Sequence, residues 1–111
     1  MNGIPKELLK GSTGTLVLTL LARQDLYGYE LIKELERCSD GVFLLKEGTL
    51  YPILHAMETE QWVEAYWSQV EGRKRKYYRL TDSGKGQLTK KKKEWALFRN
   101  AVDNVLGEGS V

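Results

Sequence analysis

The chain predicts a mainly α-helical fold with a small β-hairpin and one long C-terminal helix. Three stretches carry this expectation. Residues 47–59 set Leu50, Ile53, Leu54 and Met57 at helical spacing. Residues 62–80 change to strand-like alternation, broken at Gly72 in a turn crowded by Arg73, Lys74, Arg75 and Lys76. Residues 82–106 then read as a helix, with Thr81, Asp82 and Ser83 as N-cap candidates and Gly107 as its stop. A groove-sized helix followed by a basic hairpin is the layout of a winged helix-turn-helix, an α+β arrangement in which the hairpin is the wing.

The elements follow in order. Pro5 suits a first helical turn, where its missing N–H costs nothing, and residues 5–23 read as the first helix. Its second half, LVLTLLA, is apolar nearly all round and should be the central core helix, while Gly11 and Gly14 weaken the first half. Residues 26–38 read as a second helix with Leu31, Ile32, Leu35 and Cys38 on one face, ended by Ser39-Asp40-Gly41. Residues 42–46 should be a short extended piece. In the third helix Pro52 deletes only an early bond, to the Gly48 carbonyl, so it is tolerated. The face opposite its apolar stripe carries Gly48, Thr49, Pro52, His55 and Thr59, with Tyr51 on the flank. In the hairpin, Val63, Ala65 and Trp67 share one side; Trp62 and Trp67 are expected in the core and packed on the wing.

Bulk properties bound the rest. The 111 residues and 41% apolar content fit one globular domain with one core. No run of about 18 apolar residues is present, so no membrane partner is expected. The N-terminus lacks the layout of a secretory signal, and the lone Cys38 cannot form an internal disulfide; a cytoplasmic, nucleoid-associated protein is expected. Net charge is only +2, but the bases cluster at residues 73–76 and again at Lys90–Lys93. An enzyme is not expected: the phosphate-loop and serine-elbow patterns are missing from the sequence. No metal or other cofactor is expected, because His55 is the single histidine and has no ligand companions nearby in sequence.

The last helix carries a seam. Leu88, Trp95 and Val102 recur at seven, and Lys91, Phe98 and Val105 interleave with them. A domain this small cannot cover such a stripe from one side, and a homodimer is the simplest solution. The expected division is a DNA-binding unit over residues 1–81 and a dimerisation helix with tail over 82–111. Double-stranded DNA is the expected partner. Arg73, Lys74, Arg75 and Lys76 would hold phosphate or minor groove, with Lys6 and Lys10 as backbone contacts. Thr49, Tyr51, Pro52 and His55 would face the major groove. The competing class is an adaptor that dimerises through its last helix and carries a degenerate winged helix without DNA binding; the full basic wing argues against it.

Three motifs in register resemble the PadR family of bacterial transcriptional regulators, in its short form with a single C-terminal dimerisation helix. They are Tyr27-Gly28-Tyr29-Glu30-Leu31, Glu47-Gly48-Thr49-Leu50-Tyr51-Pro52-Ile53-Leu54, and the run from Arg75 through Tyr77, Tyr78 and Thr81 to Gly84. The resemblance implies a homodimeric repressor at an inverted-repeat operator, in some members released by a planar aromatic ligand. It further implies that Trp95 occupies the position of a tryptophan lining a pore between subunits. Lys91 and Arg99 flank it by one turn and would disfavour a cationic effector.

Overall fold

The computed structural model describes residues 4–108, and the side chain of Lys6 lies outside that description. Its elements are α1 (Lys6–Lys10), α2 (Thr13–Arg23), β1 (Leu26–Tyr27), α3 (Gly28–Cys38), α4 (Glu47–Thr59), β2 (Val63–Val70), β3 (Arg73–Leu80) and α5 (Asp82–Leu106). Three strands form one antiparallel sheet in the order β1-β3-β2. This is the winged helix-turn-helix that the periodicity predicts, with its long C-terminal helix.

The core lies where α2, α3, α4 and the inner sheet face meet. Val17, Leu18, Leu20 and Leu21 of α2 are buried, as the all-apolar run requires. Leu50, Leu54 and Met57 of α4 close on them, with Ile53 partly buried. From the sheet come Leu26, Val63, Tyr78 and Leu80. Burial pushes the Tyr78 hydroxyl above its ordinary value of 10.0.

Several sequence expectations are corrected. The first helix is not continuous: Gly11 and Ser12 break it into α1 and α2. Glycine is a poor helix residue, and a break falls there. The second helix starts at Gly28 rather than at residue 26, because Leu26 and Tyr27 pair with Tyr78 and Tyr77 of β3. The Tyr27 backbone N–H donates to Glu30 Oε1 at 3.2 Å and so helps to fix the start of α3. Gly28 leaves room there for the Tyr51 hydroxyl, which a Cβ would displace. Cys38 is exposed rather than on the buried face.

Residues 42–46 form no ladder. The hairpin turn is only Glu71-Gly72, both at positive φ (51° and 78°), which matches the twist of the flanking strands. Arg73 to Lys76 therefore lie on β3, not in the turn. At the start of α5 the Thr81 side chain accepts from the Gly84 N–H at 2.9 Å, and Gly107 ends the helix at φ 82°. Leu88, expected in the intersubunit seam, is already covered in the single subunit. It is buried within the subunit, because the first turns of α5 lie against α2 and β3.

Candidate nucleic-acid interface

Helix α4 presents its open face through Gly48, Thr49, Pro52, His55 and Thr59, all exposed. The same periodicity that buries Leu50, Leu54 and Met57 makes this face available. Tyr51 departs from its expected role. It is half-buried, and its hydroxyl is turned toward Gly28 at the start of α3, so it braces the reading helix from behind.

The four wing bases are not equivalent. The side chains of Arg73 and Lys74 are exposed. Arg75 rests its guanidinium 4.4 Å from the centre of the Tyr27 ring. Lys76 reaches Glu58 of α4 at 3.7 Å, which partly neutralises it and fastens the wing to the reading helix. Strand alternation divides them: Arg73 and Arg75 project from the outer sheet face, Lys74 and Lys76 from the inner one.

On the outer face, Tyr66 stacks on Tyr77 at 5.7 Å, and Tyr27 meets Tyr77 edge-on at 5.4 Å. Asp25 accepts from the Tyr66 hydroxyl at 2.6 Å and from Arg79 Nε at 3.4 Å. The bond to Asp25 holds the Tyr66 hydroxyl above its ordinary value of 10.0. This layer anchors β1 and β2 to β3 at the base of the wing.

Lys10 is exposed at the end of α1. The expected backbone contact from Lys6 concerns a side chain outside the described residues.

A second feature lies at the other end of the molecule. A groove of about 770 Å³ runs between α1 and α5, lined among others by Leu8, Leu16, Phe43, Trp95 and Phe98. Trp95 and Phe98 are exposed, with ring centres 5.6 Å apart; Val105 is exposed beyond them and Val102 is half-buried. Lys91 lines the groove, yet its ammonium sits 5.6 Å from the Trp62 ring centre. Glu7 and Glu94 also line it, while Arg99 is exposed and takes no part in the lining. Of the two cations expected to flank Trp95, Lys91 alone is on the lining of this groove. Leu8, Phe43, Glu7 and Glu94 carry no local pattern that marks them; only the apposition of α1 and α5 joins them.

Among the described residues no cluster of His, Cys, Asp and Glu suited to a metal is present, and no helix is long and apolar enough to cross a membrane.

A reading helix with an open polar face, backed by a tyrosine brace and flanked by a basic two-stranded wing, defines a DNA-binding protein of the winged helix-turn-helix class. The chain belongs to the PadR-like family of transcriptional regulators, whose model matches residues 17–90. It is similar to a transcriptional regulator of Mycobacterium tuberculosis, at 31% identity over 76% of each chain. It is also similar to the crystal structure of a PadR-like transcriptional regulator from Bacillus cereus, at 34% identity and a TM-score of 0.80, covering 90% of this chain and 96% of that one. A transcriptional regulator from Clostridium thermocellum gives 31% identity and a TM-score of 0.82, covering 88% and 96%. The protein is accordingly a transcriptional regulator that acts by binding DNA, a function that needs no catalytic centre.

Proposed function

We propose that this regulator is a cytoplasmic homodimeric repressor that binds an inverted-repeat operator. Residues 1–81 form its DNA-binding unit, and residues 82–111 its dimerisation helix and tail. The observation that carries the reading is the pairing of two open surfaces: the polar face of α4 beside its wing, and the apolar stripe of Trp95, Phe98, Val102 and Val105 on α5. A two-fold axis along that stripe would set two copies of α4 on one side of the duplex, about 34 Å apart, the spacing of successive major grooves. Thr49, Pro52 and His55 then read base edges, and Arg73 and Lys74 hold phosphate.

The groove beside Trp95 suits a planar aromatic effector, which would act by binding the two arrangements of the dimer unequally. Glu7, Lys91 and Glu94 all line that groove, and a planar neutral or anionic ring system is the effector proposed for it.

The test uses the DNA upstream of the protein's own gene. Specific binding to an inverted repeat there by a dimer is the expected result. Thr49→Ala and His55→Ala should each lose about 1–3 kcal/mol on that site and much less on mixed-sequence DNA. Equal losses on both would make these residues phosphate contacts. A monomer at micromolar concentration that still binds would remove the dimer.

A further inference from the structure

The inner face of the sheet changes character along the wing. Val63, Ala65, Tyr78 and Leu80 are buried or half-buried where that face lies on the helices. Trp67 is the next inward residue on β2, yet it is 62% exposed. The hairpin has by then run past the helical body, so the packing expected for this residue is not available. An indole left in water on a charged hairpin is the kind of apolar surface that marks a contact site.

Its neighbours say what kind of surface it meets. Lys74 Nζ stands 6.0 Å from the ring centre, and Lys76 is directly across the ladder. Lys76 in turn reaches Glu58, which follows His55 by three residues and so lies on the flank of the open α4 face. A path His55, Glu58, Lys76, Trp67 therefore connects the reading helix to the indole, and its outer end is cationic.

We propose that Trp67 is a DNA-contacting residue of the wing, its indole packed on deoxyribose and base edges at a groove wall while Lys74 holds the neighbouring phosphate. The proposal rests on the DNA-binding role of the family and adds to it a contact that is apolar. Exposed wedges of this type recur where proteins enter a minor groove. An apolar contact releases no counterions, so its loss has a signature of its own: affinity falls while the salt slope stays.

The full-length protein is titrated into labelled mixed-sequence duplex at several salt concentrations. Trp67→Ala should weaken binding about tenfold with the slope of log affinity against log salt unchanged. Trp67→Phe should recover most of the loss, and Lys74→Ala should flatten the slope. Wild-type affinity in Trp67→Ala overturns the proposal while leaving the DNA-binding role intact; failure of the unmodified protein to bind any duplex sinks that role itself. If Trp67→Ala does not fold, a variant with Trp62→Phe and Trp95→Phe keeps Trp67 as the sole tryptophan, excited selectively over the tyrosines. Its fluorescence should change on adding duplex. Emission that ignores DNA, or that changes only with protein concentration, assigns the indole elsewhere and overturns the contact.

Discussion

The two halves of α5 obey the same helical periodicity and meet opposite fates. In the first half, Gly84 and Leu88 are buried, and a Cβ on Gly84 would strike the Trp62 carbonyl. The subunit's own core has claimed that half. In the second half, Trp95, Phe98, Val105 and Leu106 stand 46%, 58%, 86% and 65% exposed. Beyond the core, Leu8 and Leu16 line a groove with Trp95 and Phe98 without covering them, and Val105 and Leu106 stand open. A hydrophobic stripe thus has two possible meanings, and only distance from the core separates them.

The sharpest way to break this contrast is to charge the open half and hollow the closed one. Phe98→Glu with Val102→Glu should cost the proposed dimer several kcal/mol, because carboxylates would be desolvated without partners. Sedimentation should show monomer or unfolded chain, and an intact dimer would place the interface elsewhere. Leu88→Ala, in the closed half, should instead lower unfolding stability by about 2–5 kcal/mol in urea. Its dimer should persist wherever the chain remains folded.

A second change tests how tightly the body is closed. Gly28→Ala drives a methyl group into the Tyr51 hydroxyl and should destabilise the fold by about 1–3 kcal/mol. Tyr51→Phe in the same chain should relieve part of that loss, which a double-mutant cycle would read. Full additivity would show that the two groups do not meet.

The wing offers a smaller and ionic contrast between an open base and a paired one. Arg73→Ala should flatten the salt slope of DNA binding by about 1 per wing. Lys76→Ala should flatten it less, since Glu58 already faces that charge. Equal changes would mean that the ion pair opens on DNA.

The smallest effect is alkaline. Tyr66 and Tyr78 hold their protons more tightly when folded than the ordinary value of 10.0. A raised folded pKa adds stability that is complete below the unfolded value and disappears as pH rises through the folded one. Thermal stability should therefore fall above about pH 10, and Tyr66→Phe should blunt part of that fall. An identical pH profile in Tyr66→Phe would remove the Asp25 bond from the account. No tyrosine lies in α5, so subunit association should not respond in the same range until the body loosens.

Much of the fold and part of the site were legible in the residue order. The apolar stripe of α4, the alternation of β2 and β3, the Thr81 cap and the Gly107 stop are local patterns. Each is set by neighbours within a turn or a strand pair, which is the range over which backbone geometry repeats. The open face of α4 follows from the same pattern as its complement. The Tyr27-Gly28 motif is of another kind, because Gly28 faces the Tyr51 side chain of α4.

What the order of residues did not contain is which surfaces meet. The pairing of Leu26 and Tyr27 with β3 joins segments about fifty residues apart in sequence, and two residues have no periodicity to read. Lys76 and Arg73 look alike in a basic run; only the approach of α4 makes one paired and leaves the other open. Trp67 and Tyr78 share one face of the sheet, yet the reach of the helical body leaves the first in water and buries the second. Composition and periodicity by themselves determined the main helices, the hairpin, their order and their polar and apolar faces. The tertiary structure alone decided which faces were covered, because coverage depends on how far the core extends in space.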